Sequence, residues 1–157
     1  GFDFDKIPFS MLAHEYMEDY QEKSYACDLH SDVLDVVNKA KNLGFSQTVL
    51  SASKMDYLLK QMETLHVDDL FDSIYGINDI YAKSKVELAH AFKQTCSLDD
   101  EIYFVGDSVH DYEVAKSIGA KCILVTTGHQ NRATLESVNV PVMDSLMESL
   151  DLIYERD

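Results

Sequence analysis

From residue 31 onward, short apolar runs alternate with longer segments of helical periodicity, and this alternation constrains the fold more than any other feature. "SDVLDVVNKAKNLG" sets Val33, Val36, Val37, Ala40 and Leu43 on one helical face, with Ser31 placed to cap its start and Gly44 to close it. "FSQTVLSAS" follows as a short strand. "KMDYLLKQMETLH" then aligns Met55, Leu58, Leu59, Met62 and Leu65 as a second helix. "FDSIYG" reads as a strand and "SKVELAHAFKQT" as a helix with Val86, Ala89 and Phe92 inward. "EIYFVGD", "VHDYEVAKSIG" and "KCILVTTG" continue as strand, helix, strand, and "DSLMESLDLIYE" closes the chain as a helix. Strands separated by helices pair in parallel and need cover on both faces. The expected fold is therefore α/β: a three-layer, Rossmann-like parallel sheet with helices on both faces.

The length of 157 residues, 46% of them hydrophobic, suits one domain with a real core. Thirteen Lys and Arg stand against 28 Asp and Glu, a formal net charge of −15, which argues against nucleic acid or an anionic membrane surface as a partner. Any phosphate-handling site here must bring its own local positive charge, and a divalent cation would supply it. Cys27, Cys96 and Cys122 lack the spacing of a zinc site or a disulfide framework and are expected to be reduced and mostly buried. No signal peptide and no apolar run near 18 residues are found. A cytoplasmic monomer is the expectation.

Ligands of such sheets bind beyond the carboxyl ends of the strands, so the residues that follow each apolar run carry the functional information. Asp107 and Asp111 stand four apart where "EIYFVGD" ends. Two carboxylates at one strand end suit Mg²⁺, whose charge would relieve their repulsion. The competing explanation is that Asp107 caps the next helix and Asp111 is solvated on its first turn. Ser51, with the backbone N–H groups beside it, ends the first strand and can hold a phosphoryl oxygen; an ordinary helix cap by Ser51 or Ser53 is the alternative. Lys85 opens its helix, a position where the helix dipole disfavours cations, as a phosphate-binding ammonium would. Lys83 competes for that role, and a solvated lysine is the plain alternative. His110 and His129 read as surface residues.

The segment ahead of residue 31 is different. Residues 9–22 form one helical stretch and an extended passage follows, with nothing that completes a strand–helix–strand unit.

Taken in order, a strand ending in Ser, a Lys at a helix start and a strand ending in "GDxxxD" resemble the second, third and fourth motifs of the haloacid dehalogenase-like superfamily. The likeness covers residues 27–157. It is nearest the phosphoglycolate-phosphatase-like branch, through "LSAS", "SKVEL", "GDSVHD" and "GHQ". It implies a phosphatase that forms an aspartyl-phosphate. Ser51 and Lys85 would hold the phosphoryl group, with Ala52 also at the substrate, and Asp107 and Asp111 would bind or orient Mg²⁺. The first motif, an apolar strand ending in DxD and Gly-Thr, has only "GFDFDK" as a candidate, with Asp3 and Asp5 but no strand before them. Residues 1–26 are accordingly expected to be the remnant of a helical cap and linker, and residues 27–157 an incomplete core lacking its first strand. The parent would hydrolyse a small phosphomonoester, 2-phosphoglycolate among the candidates, while the chain as given would be an inactive fragment. A sugar phosphomutase and a non-catalytic binding or regulatory module of the same fold stand as alternatives. A receiver domain fits poorly, because its acidic pair belongs near the first strand.

Overall fold

The computed structural model describes residues 8–24, 26–77 and 84–155. Seven α-helices, five strands and one short 3-10 helix (Asp68–Leu70) follow along them, strand and α-helix alternating from β1 on: α1 (Phe9–Ser24), α2 (Val33–Asn42), β1 (Thr48–Lys54), α3 (Met55–Thr64), β2 (Ser73–Ile77), α4 (Lys85–Thr95), β3 (Tyr103–Gly106), α5 (Val109–Ser117), β4 (Lys121–Val125), α6 (Arg132–Glu136), β5 (Val142–Met143) and α7 (Leu146–Tyr154). All strand pairs are parallel. They form two sheets, β1–β2 and β3–β4–β5, with no pairing between them among the described residues.

Local chemistry sets the element ends. Ser84, Ser108, Asn131 and Ser145 each cap a helix by accepting from the backbone N–H three residues on. Gly44, at φ +87°, takes the left-handed turn that ends α2. Ser31 does not cap α2. Asp32 holds the cap position, and its carboxylate reaches instead to the N–H groups of Leu146 and Met147 in α7, at 3.0 and 3.3 Å. A distant helix start offers free donors that α2, entered through a helical turn, meets with its own backbone. Lys39 then joins Asp151 across the same pair of helices at 2.5 Å.

Alternation along the strands distributes the core. Val49 packs with Leu58 and Met62 of α3, whereas Leu50 packs with Ala89 of α4, so α3 and α4 cover opposite faces of β1. Val114 of α5 and Ile118 at its C-terminal cap join Ala89 and Leu50, and Phe104 of β3 touches the same cluster. The α4–α5 layer therefore bridges both sheets. Cys122 and Leu124 of β4 pack with Ala115 of α5 and with Leu135 of α6.

Of the three cysteines, Cys122 is buried, Cys96 half-buried and Cys27 exposed, which corrects the expectation of mostly buried thiols. Burial, with Asp111 nearby adding to it, pushes the Cys122 thiol up to about 12 and leaves it unreactive. Among the described residues no helix is long and apolar enough to cross a membrane.

Candidate active site

The turn from β3 to α5 brings the two aspartates together in different roles. Asp111 is 3% exposed, and both of its oxygens are engaged. Oδ2 accepts from the N–H groups of Asp107 and Ser108, each at 3.1 Å, and from Ser108 Oγ at 2.8 Å. Ser108 Oγ in turn accepts from the Asp111 N–H, completing a capping box. Oδ1 meets Lys85 Nζ at 2.6 Å. Asp111 is thus neither solvated nor free, and the helix cap is Ser108, not Asp107; the plain alternative for this pair does not hold. Burial alone would raise the Asp111 pKa. The Lys85 ammonium outweighs it, with Ser108 and the Asp107 N–H adding to the effect, and the carboxyl is held below its ordinary value of 3.8.

Two glycines allow this packing. A Cβ on Gly106 would lie 2.3 Å from the Asp111 Cβ, and one on Gly128 would lie 1.8 Å from Asp107 Oδ2. The strand end and the loop after β4 can therefore close on the carboxylates only with hydrogen at those positions. Asp107 itself is half-buried, and its Oδ2 accepts from the His129 N–H at 3.2 Å. The same loop is pinned to α5 by Gln130, whose Oε1 accepts from the Val109 N–H at 2.8 Å. The sequence marks Gly128 as a strand-end residue and Gln130 only through "GHQ", and it assigns neither a role.

Lys85 is the first residue of α4 and lies 5.7 Å from the centre of the Phe104 ring. One of its three N–H donors faces Asp111. Ser51 does not end its strand: β1 runs on to Lys54, and Ser51 is its middle residue, just past Leu50, where the regular register with β2 breaks. It does not cap α3, and neither does Ser53: the cap position is Lys54, without a side-chain bond. Ser51 Oγ accepts from the Ser53 N–H at 3.1 Å, which leaves the hydroxyl proton to donate elsewhere, and Ala52 beside it is exposed. Leu50, directly before Ser51, and Val86, directly after Lys85, pack against the same buried cluster of Ala89, Val114 and Ile118. His110 faces outward beside Glu113, and the His129 side chain is fully in solvent. Asp3, Asp5 and Lys83 lie outside the described residues. Among the described residues no group of three or more His, Cys, Asp or Glu could by itself hold a metal.

An acid and a lysine locked together beyond parallel strands, next to a second carboxylate, stand at the carboxyl edge of an α/β protein. The family model of the haloacid dehalogenase-like hydrolases matches residues 3–125, and the chain belongs to that family. No curated protein matches it. Among solved structures it resembles a haloacid dehalogenase-like hydrolase from Streptococcus pneumoniae, at 21% identity and TM-score 0.84, covering 97% of this chain and 72% of that one. A protein described as a predicted phosphatase from Clostridium acetobutylicum gives 21% identity and TM-score 0.82, with 98% and 72% covered. One described as a predicted phosphoglycolate phosphatase from Haemophilus somnus gives 18% and 0.73, with 92% and 66% covered.

Proposed function

We propose that this chain carries the phosphate-holding and metal-holding part of a magnesium-dependent phosphatase that acts on a small phosphomonoester through an aspartyl-phosphate. The observation that carries the reading is the Lys85–Asp111 pair, almost wholly out of water and set beside the more open Asp107. Asp111 fixes the ammonium in place, and two N–H donors remain to meet phosphoryl oxygens. The free proton of the Ser51 hydroxyl and the Ala52 N–H would complete the cradle.

Asp107 suits a magnesium ligand, because Mg²⁺ takes oxygen donors and needs only one or two carboxylates beside substrate oxygens and water. Asp111, with both oxygens engaged, serves the ion through the turn it stiffens. When bound, such an ion would offset charge on the phosphoryl group. Neither carboxylate is left to attack phosphorus, so the nucleophile belongs to polypeptide outside the described residues. In this reading α1 is part of a cap: Tyr16 and Tyr20 stack on one another on its exposed side. The chain alone would then turn over little substrate, the parent's substrate being a small ester such as 2-phosphoglycolate. The second reading, a binding module without catalysis, is favoured by that same lack of a free attacking carboxylate among the described residues.

Titration calorimetry with inorganic phosphate, with and without Mg²⁺, tests the site. Mg²⁺-supported binding should weaken about 10-fold or more in Lys85→Met, the scale of one lost charge-assisted hydrogen bond. Binding that is indifferent to Mg²⁺ and to Lys85 would refute the reading. Hydrolysis of p-nitrophenyl phosphate by the 157-residue chain at the rate of an ordinary phosphatase would refute the reading that this chain alone turns over little substrate.

A further inference from the structure

The two carboxylates of the site are held in unequal ways. Asp111 accepts from four donors, whereas the Asp107 carboxylate, among the described residues, accepts a hydrogen bond only from the His129 N–H, at 3.2 Å. Gly128, the neighbouring residue, lies so close to Asp107 that no Cβ would fit between them. The placement of Asp107 therefore depends on the loop 127–131, which leaves β4 and belongs to neither β3 nor α5. Gln130 fixes one point of that loop by accepting from the Val109 N–H. Gly128 and His129 are exposed, and an exposed loop keeps one position only where its ends are tied.

Both ends are tied to one atom. Thr126, directly before the loop, donates its hydroxyl to Asp144 Oδ1 at 3.0 Å. Arg132, directly after the loop, donates Nη2 to the same oxygen at 2.5 Å and Nη1 to the Val142 carbonyl at 3.3 Å. Asp144 is itself fixed. Its N–H donates to Glu148 Oε2 in the first turn of α7 at 2.9 Å, and Met143, the residue before it, accepts from the Thr126 N–H at 3.0 Å. Arg132, with Thr126 adding to the effect, holds the Asp144 carboxyl below its ordinary value of 3.8, so the clasp is charged at neutral pH. The pair is open to water, at 41% and 70% exposure, and contributes little to global stability. Its effect is local: it closes a loop whose middle rests on Asp107.

We propose that Arg132 and Asp144 are positioning residues for Asp107. Their clasp with Thr126 keeps the loop 127–131 seated on the Asp107 carboxylate and so keeps that carboxylate in place for an oxygen-ligated cation. The inference rests on the reading of Asp107 as a magnesium ligand. Arg132 and Asp144 act on the site only through Gly128 and His129. The size of the effect has a bound, because an exposed ion pair holds its ends together by a factor of about 5 at most. A site that is in place for only part of the time loses apparent affinity by that fraction. Glu136 supplies an internal contrast: it also accepts from Arg132, at 3.3 Å, but it lies on α6 itself, so that bond ties nothing to β5.

Hydrogen exchange of the 157-residue chain, read at the His129 and Val109 amides, tests whether the loop is seated, and titration calorimetry with inorganic phosphate and Mg²⁺ tests what the seating serves. In Arg132→Met both amides should exchange about 5-fold faster, while the β4 amides and the urea midpoint stay those of wild type. Mg²⁺-supported phosphate binding should weaken by about 2- to 5-fold. Asp144→Ala should have the same two effects. Arg132→Lys, which keeps a cation beside Asp144, should restore most of both, and Glu136→Gln should leave both as they are in wild type. Unchanged exchange at His129 in Arg132→Met overturns the proposal. So does faster exchange with wild-type binding, which would make the clasp a structural tie and leave the magnesium reading standing. Losses that Glu136→Gln reproduces overturn it as well, because the bond within α6 would then be the one that matters. Absence of Mg²⁺-supported binding in wild type would remove the magnesium reading itself, and this proposal with it.

Discussion

Lys85 Nζ sits 2.6 Å from Asp111 Oδ1, and this contact joins α4, which follows β2, to α5, which follows β3. The side chains are 18% and 4% exposed, so removing the cation leaves a carboxylate stranded away from water. Lys85→Met should destabilise the chain toward the lower end of about 3–5 kcal/mol, because Asp111 Oδ2 keeps its three other donors. Lys85→Met with Asp111→Leu should cost less than the sum of the single changes. Urea denaturation of the four proteins measures this; additive costs would show that the two residues are not coupled.

The same pair fixes the response to acid. Asp111 has its carboxyl held below the ordinary 3.8 by Lys85, against the opposing push of burial. A folded-state pKa lower than the unfolded one means that the stabilisation is complete above 3.8 and is lost as pH falls through the folded value. Wild type should therefore lose stability below that pH more steeply than Asp111→Asn, and the gap between them should narrow. Parallel acid-denaturation curves would contradict the assignment.

The sequence displayed the fold wherever apolar period and helix punctuation agreed. The expected stretches for α3, α4, α5 and β4 match the elements found, because each lies between a turn or cap residue and a buried face. β5 and α6 went unread: two residues of strand and five of helix are too short to show a period. Among the described residues the parallel strands pair in two groups, β1–β2 and β3–β4–β5, because strand signals do not say which strands are neighbours. At the site, "GDxxxD" located Asp107 and Asp111, but spacing could not tell a carboxylate facing outward from one whose oxygens are all bonded. That distinction depends on Ser108 and on a lysine 26 residues away.

Gly128 should control Asp107 with little effect on the rest of the protein. In Gly128→Ala the new methyl would overlap Asp107 Oδ2, Cβ and Cγ at 1.8 to 2.3 Å, so the carboxylate or the loop must move. The position is exposed, and the cost in stability should stay within the range of about 1–3 kcal/mol for overpacking. Mg²⁺-supported phosphate binding should fall as far as in Asp107→Asn, while circular dichroism stays that of wild type. Unchanged binding in Gly128→Ala would show that the placement of Asp107 does not matter to the ion.

Asp32 and Ser31 offer a contrast that needs no ligand. Sequence chemistry nominates Ser31 as the cap of α2, yet it is Asp32 whose Oδ2 accepts from Leu146 and Met147, more than 100 residues along the chain. A carboxylate at that place satisfies two free donors of α7 and sits at the positive end of its dipole. Asp32→Ala should then cost about 1 kcal/mol, the usual scale of a lost cap, and the loss should appear as faster hydrogen exchange in the first turn of α7. Ser31→Ala, with no such bond, should stay within about 0.5 kcal/mol of wild type. If Ser31→Ala proves the more damaging change, α2 is capped in solution by the residue the sequence favours, and the link between α2 and α7 rests on Lys39 and Asp151 instead.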